Sequence, residues 1–429
     1  MDSMKITMER THYFSPAIHI LLSADIVSTE ESNTISFESL KASIVAAVTH
    51  HSLLTSQVLQ DEQGDCYYVP CQTCAIPITR LDTQGFLLQQ LINEQERIPF
   101  DLARGELLRF FFVPGKSCAK LILIAHHLAG DGLAAIYLLR DIMNELGRLS
   151  SFRETAPITL FQPQHIPAKI KLNFFIRLLA KELNRQWLKT KHIFRYDEFE
   201  TMFHLFWSER KTNYITHTFT KDQLHKLLEV SKARGITINS IITTAFLFAS
   251  NQEEDVGLAV SIRPEGYEGM GNYATGISIL YQYDKKLSFW KNAARVQKLI
   301  HRKLTNEHKK YFLLQFLDIL EPTLIDAAYF YGFSDFENAA AARVSSMFGY
   351  NGNPKGISIT NLTKAPIPDR YGTYQLQNLL FLPPLVPNAK HIIGVVTLGD
   401  TMTISIQFLK EHKEKETLWF NQAMKELLL

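Results

Sequence analysis

The chain has 429 residues, about twice the length of a typical domain, so we expect two subdomains. Its 46% hydrophobic and 21% charged residues are ordinary for a soluble globular protein. Its 45 Lys and Arg against 43 Asp and Glu leave a formal net charge of +2, which gives no indication of a nucleic-acid partner. Four cysteines do not make a disulfide framework in so long a chain, and the first residues lack the apolar core of a signal peptide, so we expect a cytoplasmic protein.

The first 160 residues predict an α+β arrangement of helices with apolar residues at helical spacing and short apolar strands. Ser36 is a suitable N-cap, because a serine in this position accepts a hydrogen bond from the first helical turn. The dipeptide Pro114-Gly115 predicts a hairpin between two apolar strands. In chain order, the predicted elements are a helix at 36–54, strands at 66–69 and 75–81, a helix at 84–96, strands at 107–113 and 121–125, and a helix at 133–146.

The composition of the sequence changes at 150–167, where three prolines lie among polar residues. We therefore predict an N-terminal subdomain at 1–160, a linker and crossover helix at 161–206, and a C-terminal subdomain at 207–429. No sequence repeat relates the two halves, although their predicted elements are similar. The fold class expected from this pattern is α/β.

In the second half, Thr220 and Gln223 have the spacing of a capping box that starts a helix ending at Gly235. Gly399 and Asp400 predict the turn of a hairpin. The remaining predicted elements are strands at 216–220, 256–262, 277–282, 356–360, 392–398 and 401–408, and helices at 239–249 and 414–428.

The segment 169–191 is both basic and amphipathic. It contains seven Lys and Arg against one acidic residue, together with several large apolar side chains. A helix of this kind can lie on an anionic membrane surface, which predicts a peripheral membrane contact. The alternative is a crossover helix that covers the junction between the two halves and keeps its lysines in water.

The strongest indication of function is the end of the apolar strand at 121–125. His126 and His127 follow the strand directly, and Asp131 comes four residues after the second histidine, between Gly130 and Gly132. The two glycines allow the chain to turn sharply after a rigid strand. Histidine has an unperturbed pKa of about 6.5, which suits proton transfer near neutral pH. The pattern therefore favours a general base on a rigid support.

Two other interpretations of these side chains are weaker. A buried structural pair is disfavoured because adjacent residues of an extended strand point to opposite sides, so only one ring can share a pocket with Asp131. A metal site is disfavoured because no third ligand is evident near the loop. The cysteines also lack a convincing zinc pattern, so we expect no metal.

Residues 126–132 match, at every fixed position, the HHxxxDG motif of an acyltransferase superfamily. This superfamily includes chloramphenicol acetyltransferase, condensation domains of nonribosomal peptide synthesis, polyketide-associated acyltransferases and alcohol acetyltransferases. Other segments resemble the patterns of the family in the same order along the chain, from about residue 8 to residue 425. These segments are 37–58, 100–109, 237–240, 261–264, 271–273 and 358–362.

The resemblance implies two chloramphenicol-acetyltransferase-like subdomains with an active-site tunnel at their interface. It implies that His127 is the general base, which takes a proton from a hydroxyl or amine of a small-molecule acceptor as that group attacks a thioester. The donor is expected to be acyl-CoA, bound as a substrate and not as a permanent cofactor. The alternatives are an acyl group on a separate carrier protein and a catalytically silent binding protein. His126 is expected to be a packing residue, and the protein a monomer.

The resemblance also assigns supporting roles. Asp131 is expected to pair with an arginine and hold the shape of the catalytic loop, together with Gly132. Arg263 occupies the matching position after a strand of the second half, and Arg10 is the weaker candidate. Asn361 is the candidate for shaping an oxyanion site, although an asparagine in such a turn can instead cap the local backbone.

Overall fold

The computed structural model describes residues 3–30, 35–71, 73–149, 155–250, 252–350 and 355–428. The strands in these ranges are β1 (Met4–Lys5), β2 (His19–Ser28), β3 (Ser56–Gln60), β4 (Cys66–Pro70), β5 (Ile78–Arg80), β6 (Leu108–Val113), β7 (Cys118–His126), β8 (Thr212–Phe219), β9 (Glu253–Ser261), β10 (Ala274–Gln282), β11 (Lys355–Lys364), β12 (Arg370–Tyr371), β13 (Tyr374–Leu382), β14 (Ala389–Leu398) and β15 (Thr401–Leu409). The α-helices are α1 (Phe37–His50), α2 (Leu88–Gln95), α3 (Gly132–Leu146), α4 (Phe174–Trp187), α5 (Tyr196–Ser208), α6 (Lys221–Arg234), α7 (Ile238–Ser250), α8 (Phe289–Leu304), α9 (Glu307–Lys310), α10 (Phe312–Ile319), α11 (Pro322–Phe333), α12 (Ala339–Phe348) and α13 (Lys413–Leu427).

Two six-stranded sheets organise the molecule. The first has the order β12-β13-β2-β7-β6-β5, and the second has the order β10-β9-β11-β14-β15-β8. A third, small sheet of β1, β4 and β3 lies in the first half of the chain. The mixed α/β class predicted from the sequence is confirmed.

The strand that ends in the two histidines lies inside the first sheet. Strand β7 pairs antiparallel with β6 on one side and with β2 on the other. Its residues 121–125 are all buried, so the strand has no solvent-facing side. A continuous apolar run is the pattern expected of such a strand, because neither face reaches water.

Several predicted boundaries agree with the structure. Ser36 Oγ accepts a hydrogen bond from the backbone N–H of Ser39 and caps α1, and the capping box at the start of α6 is present. The hairpin of β14 and β15 turns at Gly399, whose φ of +56° favours glycine. Two elements are shorter than predicted, since β5 covers only 78–80 and α2 begins at Leu88. Of the proline-containing segment at 150–167, residues 150–154 lie outside the described residues.

Three strands of the first sheet were not predicted from the sequence, namely β2, β12 and β13. Strand β2 pairs with β7 along nine residue positions, and β13 pairs with the other edge of β2. Strand β13 comes from the second half of the sequence, so the chain crosses over to complete the first sheet. The helices α8, α10, α11 and α12 were also not predicted. No helix in the described part of the chain is both long and apolar enough to span a membrane.

Candidate active site

The backbone turns directly after β7, and this separates the two histidine rings. The ring of His126 packs edge-on against Phe100, and its Nδ1 accepts a hydrogen bond from the backbone N–H of Leu128. Burial, followed by the nearby His19, lowers the pKa of His126 well below its usual range, so the ring is neutral. The ring of His126 is therefore neutral and enclosed, and its hydrogen bond is to the local backbone.

The ring of His127 lies on the other side of the chain, where it is partly exposed. Its Nδ1 is 2.7 Å from Oδ1 of Asn272, and it stacks on the ring of His12 with a centroid separation of 4.2 Å and an interplanar angle of 11°. Within the described part of the chain, Nε2 of His127 makes no hydrogen bond. Of the two ring nitrogens, Nε2 is therefore the one without a protein partner in these ranges.

The orientation of the Asn272 amide fixes the tautomer of His127. The Nδ2 group of Asn272 donates to the backbone oxygen of His127 at 2.7 Å and to Glu9 Oε1 at 2.9 Å. Because both of these atoms are acceptors, the amide nitrogen must face them and Oδ1 must face the imidazole. The proton of a neutral His127 ring is therefore on Nδ1, and the lone pair is on Nε2.

Glu9 holds Asn272 in this orientation. Its Oε1 also accepts a hydrogen bond from the backbone N–H of Asn272 at 3.1 Å, and its Oε2 accepts one from the hydroxyl of Tyr68 at 3.1 Å. Burial raises the pKa of Glu9 to about 7, although these hydrogen bonds act in the opposite direction. A chain of contacts thus connects a buried carboxyl group, through an amide, to the imidazole.

Burial also lowers the pKa of His127 below its usual range, while the bond to Asn272 and the carboxylate of Asp131 act in the opposite direction. A lowered pKa keeps the ring neutral at pH 7, which is the form a general base requires. The stacked His12 is neutral as well, since burial and then His127 lower its pKa well below the usual range.

Asp131 joins three parts of the chain and does not face the imidazole. Its Oδ1 accepts from the backbone N–H of Ala134 at 2.9 Å, which makes Asp131 the N-cap of α3. The same oxygen is 2.9 Å from Nη2 of Arg263, and Oδ2 accepts from the backbone N–H of Tyr273 at 2.9 Å. The expected contact between Asp131 and Arg263 is therefore present in the structure.

The guanidinium of Arg263 binds the loop that carries Asn272. Its Nη1 donates to the backbone oxygen of Gly269 at 2.6 Å, and its Nη2 donates to that of Gly271 at 3.2 Å. The group also lies 4.8 Å from the centre of the Tyr273 ring. Arg263 and Asp131 thus connect the histidine loop to the loop at 269–273, so that His127 and Asn272 face each other.

Two glycines of the histidine loop leave room for neighbouring parts of the chain. Gly130 has a φ of +145°, and a Cβ there would lie 2.6 Å from Cβ of Ala134 and 3.0 Å from the backbone nitrogen of Gly271. At Gly132 a Cβ would lie 2.9 Å from Cδ2 of Leu362. Gly130 is required both for its positive φ and because a Cβ would collide with its neighbours, whereas Gly132 is required only because a Cβ would collide.

The other two candidates have different partners. Oδ1 of Asn361 accepts from the backbone N–H of Thr363 at 2.7 Å, and this bond supports the positive φ of +57° at Thr363. Arg10 forms a buried ion pair with Asp326, which removes it as the partner of Asp131. The contacts of Asn361 in the structure are those of a local backbone cap.

Three residues of the site had no role in the sequence analysis, namely Glu9, His12 and Asn272. Asn272 stands in the segment at 271–273 that resembles the family, and this was the available signal for it. Glu9 and His12 lie on a short 3₁₀ helix, Met8–His12, in a segment without periodicity. Only the fold brings these residues to the histidine, because they are more than one hundred residues away from it in sequence.

No protein-family model matches the chain, and no curated protein matches it. Solved structures do match over nearly its whole length. The TRI3 trichothecene 15-O-acetyltransferase from Fusarium sporotrichioides has a TM-score of 0.67 at 11% identity, covering 99% of this chain and 94% of its own. The first condensation domain of the CDA synthetase has a TM-score of 0.63 at 11% identity, covering 99% and 95%. The condensation domain of the Monacolin K polyketide synthase MokA has a TM-score of 0.63 at 11% identity, covering 100% and 97%.

At this level of identity the likeness concerns the fold. The chain has the two-subdomain architecture of condensation domains and acyltransferases, as the sequence analysis expected.

Proposed function

We propose that the protein is an acyltransferase that moves an acyl group from a thioester to a hydroxyl or amine, with Nε2 of His127 as the general base. The observation that carries this proposal is the 2.7 Å hydrogen bond between His127 Nδ1 and Asn272 Oδ1. It leaves the lone pair on the one ring nitrogen that has no protein partner among the described residues. The shared fold with an acetyltransferase and with condensation domains supports the same class of reaction.

In the proposed reaction, Nε2 of His127 takes the proton of the acceptor as its oxygen or nitrogen attacks the thioester carbonyl carbon. The tetrahedral intermediate then collapses, the carbon–sulfur bond breaks, and His127 returns the proton to the departing thiolate. No covalent enzyme intermediate is required. General-base catalysis of this type contributes about 10²–10⁴ in rate.

Asn272 is the positioning residue for this base. When Nε2 accepts the proton, the ring becomes a cation, and the Nδ1–H group then donates to Asn272 Oδ1 more strongly. One carboxyl oxygen of Glu9 accepts hydrogen bonds from both the backbone N–H and the side-chain amide of Asn272, so Asn272 is restrained and holds the His127 ring toward the acceptor. Asp131 and Arg263 hold the two loops together, which keeps His127 and Asn272 in register.

We further propose acyl-CoA as the donor, with an acyl group on a separate carrier protein as the second candidate, since condensation domains share the fold. The tetrahedral intermediate also requires a donor for its oxyanion, and Asn361 is the proposed residue for shaping that site. The hydrogen bond from the Thr363 N–H occupies Oδ1 of Asn361, so the role would fall to its amide nitrogen, which is 3.5 Å from Oδ1 of Asn239.

The proposal is tested by measuring thiol release from acetyl-CoA through palmitoyl-CoA against pooled alcohols and amines. His127→Ala should fold normally and lower the rate by about 10²–10⁴. The matched control is His225→Ala, because His225 is half exposed on α6 and its ion-pair partner, Asp400, lies at the surface. Thiol release that survives within threefold in His127→Ala would remove His127 as the base. Activity with an acyl carrier protein alone would select the carrier as the donor.

A further inference from the structure

Helix α4 exposes large apolar side chains that the fold does not use. Its inner face packs into the protein through Ala180, Leu183 and Trp187, whose side chains are buried. On the outer face, Phe174 is 69% exposed and Phe175 is 77% exposed. The other exposed apolar residues of the helix and its C-cap are Leu178, Leu179 and Leu188. Phenylalanines this exposed, side by side on one helix, are unusual for a surface that faces only water.

The surroundings of this apolar face are strongly basic. The segment 169–191 has seven Lys and Arg and one acidic residue, and the segment 301–310 has four Lys and Arg and one acidic residue. The fold brings the two segments together, since Nζ of Lys169 lies 3.1 Å from Glu307. The whole chain has a formal net charge of only +2, so the positive charge is concentrated here and the remainder of the surface is on balance acidic.

A large cavity opens between the same two segments. It has a volume of about 790 Å³, and its rim includes Lys171, Lys303 and Lys309. Its walls are the outer face of β9, β10 and β11 and one side of α10. The space exists because this sheet face carries small residues, among them Gly257 and Gly276, whereas the opposite face packs branched residues such as Val256 and Ile279 into a buried core.

We propose that α4 and the segment 301–310 form a docking surface for an anionic lipid membrane, with the mouth of the cavity at that surface. A membrane is the partner that fits both properties of the face. Exposed phenylalanine and leucine side chains enter the boundary between headgroups and acyl chains, and the surrounding lysines and arginines attract anionic headgroups. A purely electrostatic partner, such as a nucleic acid, would leave the apolar side chains without a function.

On a docked protein, the cavity would open toward the membrane and could take up a lipid chain. Its walls include apolar side chains such as Phe312, Leu313 and Phe348, and its rim is cationic. A hydrocarbon chain that leaves the bilayer at this point would exchange one apolar environment for another without crossing water. The docked orientation would therefore favour a lipophilic substrate for the proposed acyl transfer. The docking itself is measured without turnover, so its failure would leave the proposed function intact.

The first experiment measures co-sedimentation of the full chain with phosphatidylcholine vesicles, with and without one third phosphatidylglycerol, at low and high salt. Binding should require the anionic lipid and weaken with salt, because each basic residue near such a surface contributes about fivefold in affinity. The triple variant Phe174→Ser, Phe175→Ser, Leu178→Ser should lose binding. Its matched control is Leu205→Ser, Leu280→Ser, Leu418→Ser, which removes equally exposed apolar residues from other elements and should bind as the unaltered protein does.

The charged part of the surface is tested separately. Replacing Arg177, Lys181 and Lys189 by alanine should weaken binding about a hundredfold. The matched control removes three exposed lysines of α6 and α13, namely Lys232, Lys415 and Lys425, and should bind normally. Equal effects of both sets would show that only net charge matters and would overturn the proposed surface.

A third measurement reports insertion directly. In a Phe175→Trp variant, the emission of the new tryptophan should shift to the blue on addition of anionic vesicles and should be quenched by brominated lipid. A spectrum unchanged by vesicles would overturn the proposal. Self-association of the unaltered protein that the triple serine variant abolishes, without vesicle binding, would identify the face as a contact between two copies and would also overturn it.

Discussion

Substitution of Asp131 by alanine tests whether the carboxylate holds the catalytic loop, as opposed to taking part in proton transfer. The side chain makes three hydrogen bonds, to the N–H of Ala134, to Arg263 and to the N–H of Tyr273. Alanine removes all three at once. The guanidinium of Arg263 then stays buried beside its tyrosines without a carboxylate.

The size of the effect follows from burial. The side chains of Arg263 and Asp131 are only 5% and 8% exposed, so the pair belongs to the buried class. Removing one partner of a buried ion pair costs about 3–5 kcal/mol, and losing a helix N-cap costs about 0.5–2 kcal/mol. We therefore expect Asp131→Ala to lower the free energy of unfolding by about 4–6 kcal/mol. Since folded proteins are stable by about 5–15 kcal/mol, this is a large share of the total.

The assay is urea unfolding followed by tryptophan fluorescence, with thiol release measured on the same samples. Asp131→Asn keeps an oxygen for the cap of α3 and should recover about 1 kcal/mol of the loss. The control is Asp400→Ala, because Asp400 pairs with Lys221 at the surface, where both side chains are more than half exposed; this variant should unfold at the same urea concentration as the unaltered protein. A stable and fully active Asp131→Ala protein would refute the structural role of Asp131.

Three other predictions concern the neighbours of His127. In a pH–rate profile, activity should rise with pH through a midpoint below 6.5, because burial lowers the pKa of His127. Asn272→Ala should move this midpoint lower, because the hydrogen bond to Asn272 raises the pKa of His127, and it should reduce kcat about a hundredfold. Burial raises the pKa of Glu9 to about 7 in the folded state, against an ordinary value of 4.5, so the folded state binds more protons between these pH values. The contribution of Glu9 to the free energy of unfolding is therefore present below pH 4.5 and is lost as the pH rises through 7. Urea titrations at several pH values should show that Glu9→Gln removes up to about 3 kcal/mol of this pH-dependent loss of stability. If Asn361 shapes the oxyanion site, Asn361→Ala should lower kcat about 10²–10³-fold and leave KM unchanged. A kcat within threefold of the unaltered protein, together with a loss of about 1 kcal/mol in the free energy of unfolding, would show that Asn361 only accepts the hydrogen bond from the Thr363 N–H.

The parts of the fold that sequence patterns predicted well are those with strong local signals. The helix α6 has a capping box at its start and a glycine in the left-handed conformation at its end, and both signals depend only on neighbouring residues. Strand β2 was missed although it lies at the centre of the first sheet. It is buried on most positions and carries Ser23 and Asp25 in its middle, so it shows neither a clean alternation nor an unbroken apolar run.

The crossing of β13 into the first sheet depends on contacts that no local pattern encodes. The strand pairs with β2 across more than three hundred residues of sequence. Its residues Asn378 and Leu379 interrupt the register, and Asn378 has a positive φ of +49°. Such an irregular strand weakens the period of two on which strand prediction relies.

The sequence by itself indicated the histidine loop as the candidate active site, because a buried apolar strand, two histidines, an aspartate and two glycines follow one another within twelve residues. It also indicated Arg263 as the partner of Asp131 through the resemblance. Only the tertiary structure decided how His127 is held. The tautomer of the ring depends on Asn272, the amide of Asn272 depends on Glu9, and these residues meet through the packing of loops from distant parts of the chain. Local sequence specifies which chemistry a side chain can perform, whereas the proton's position on that side chain is set by its neighbours in space.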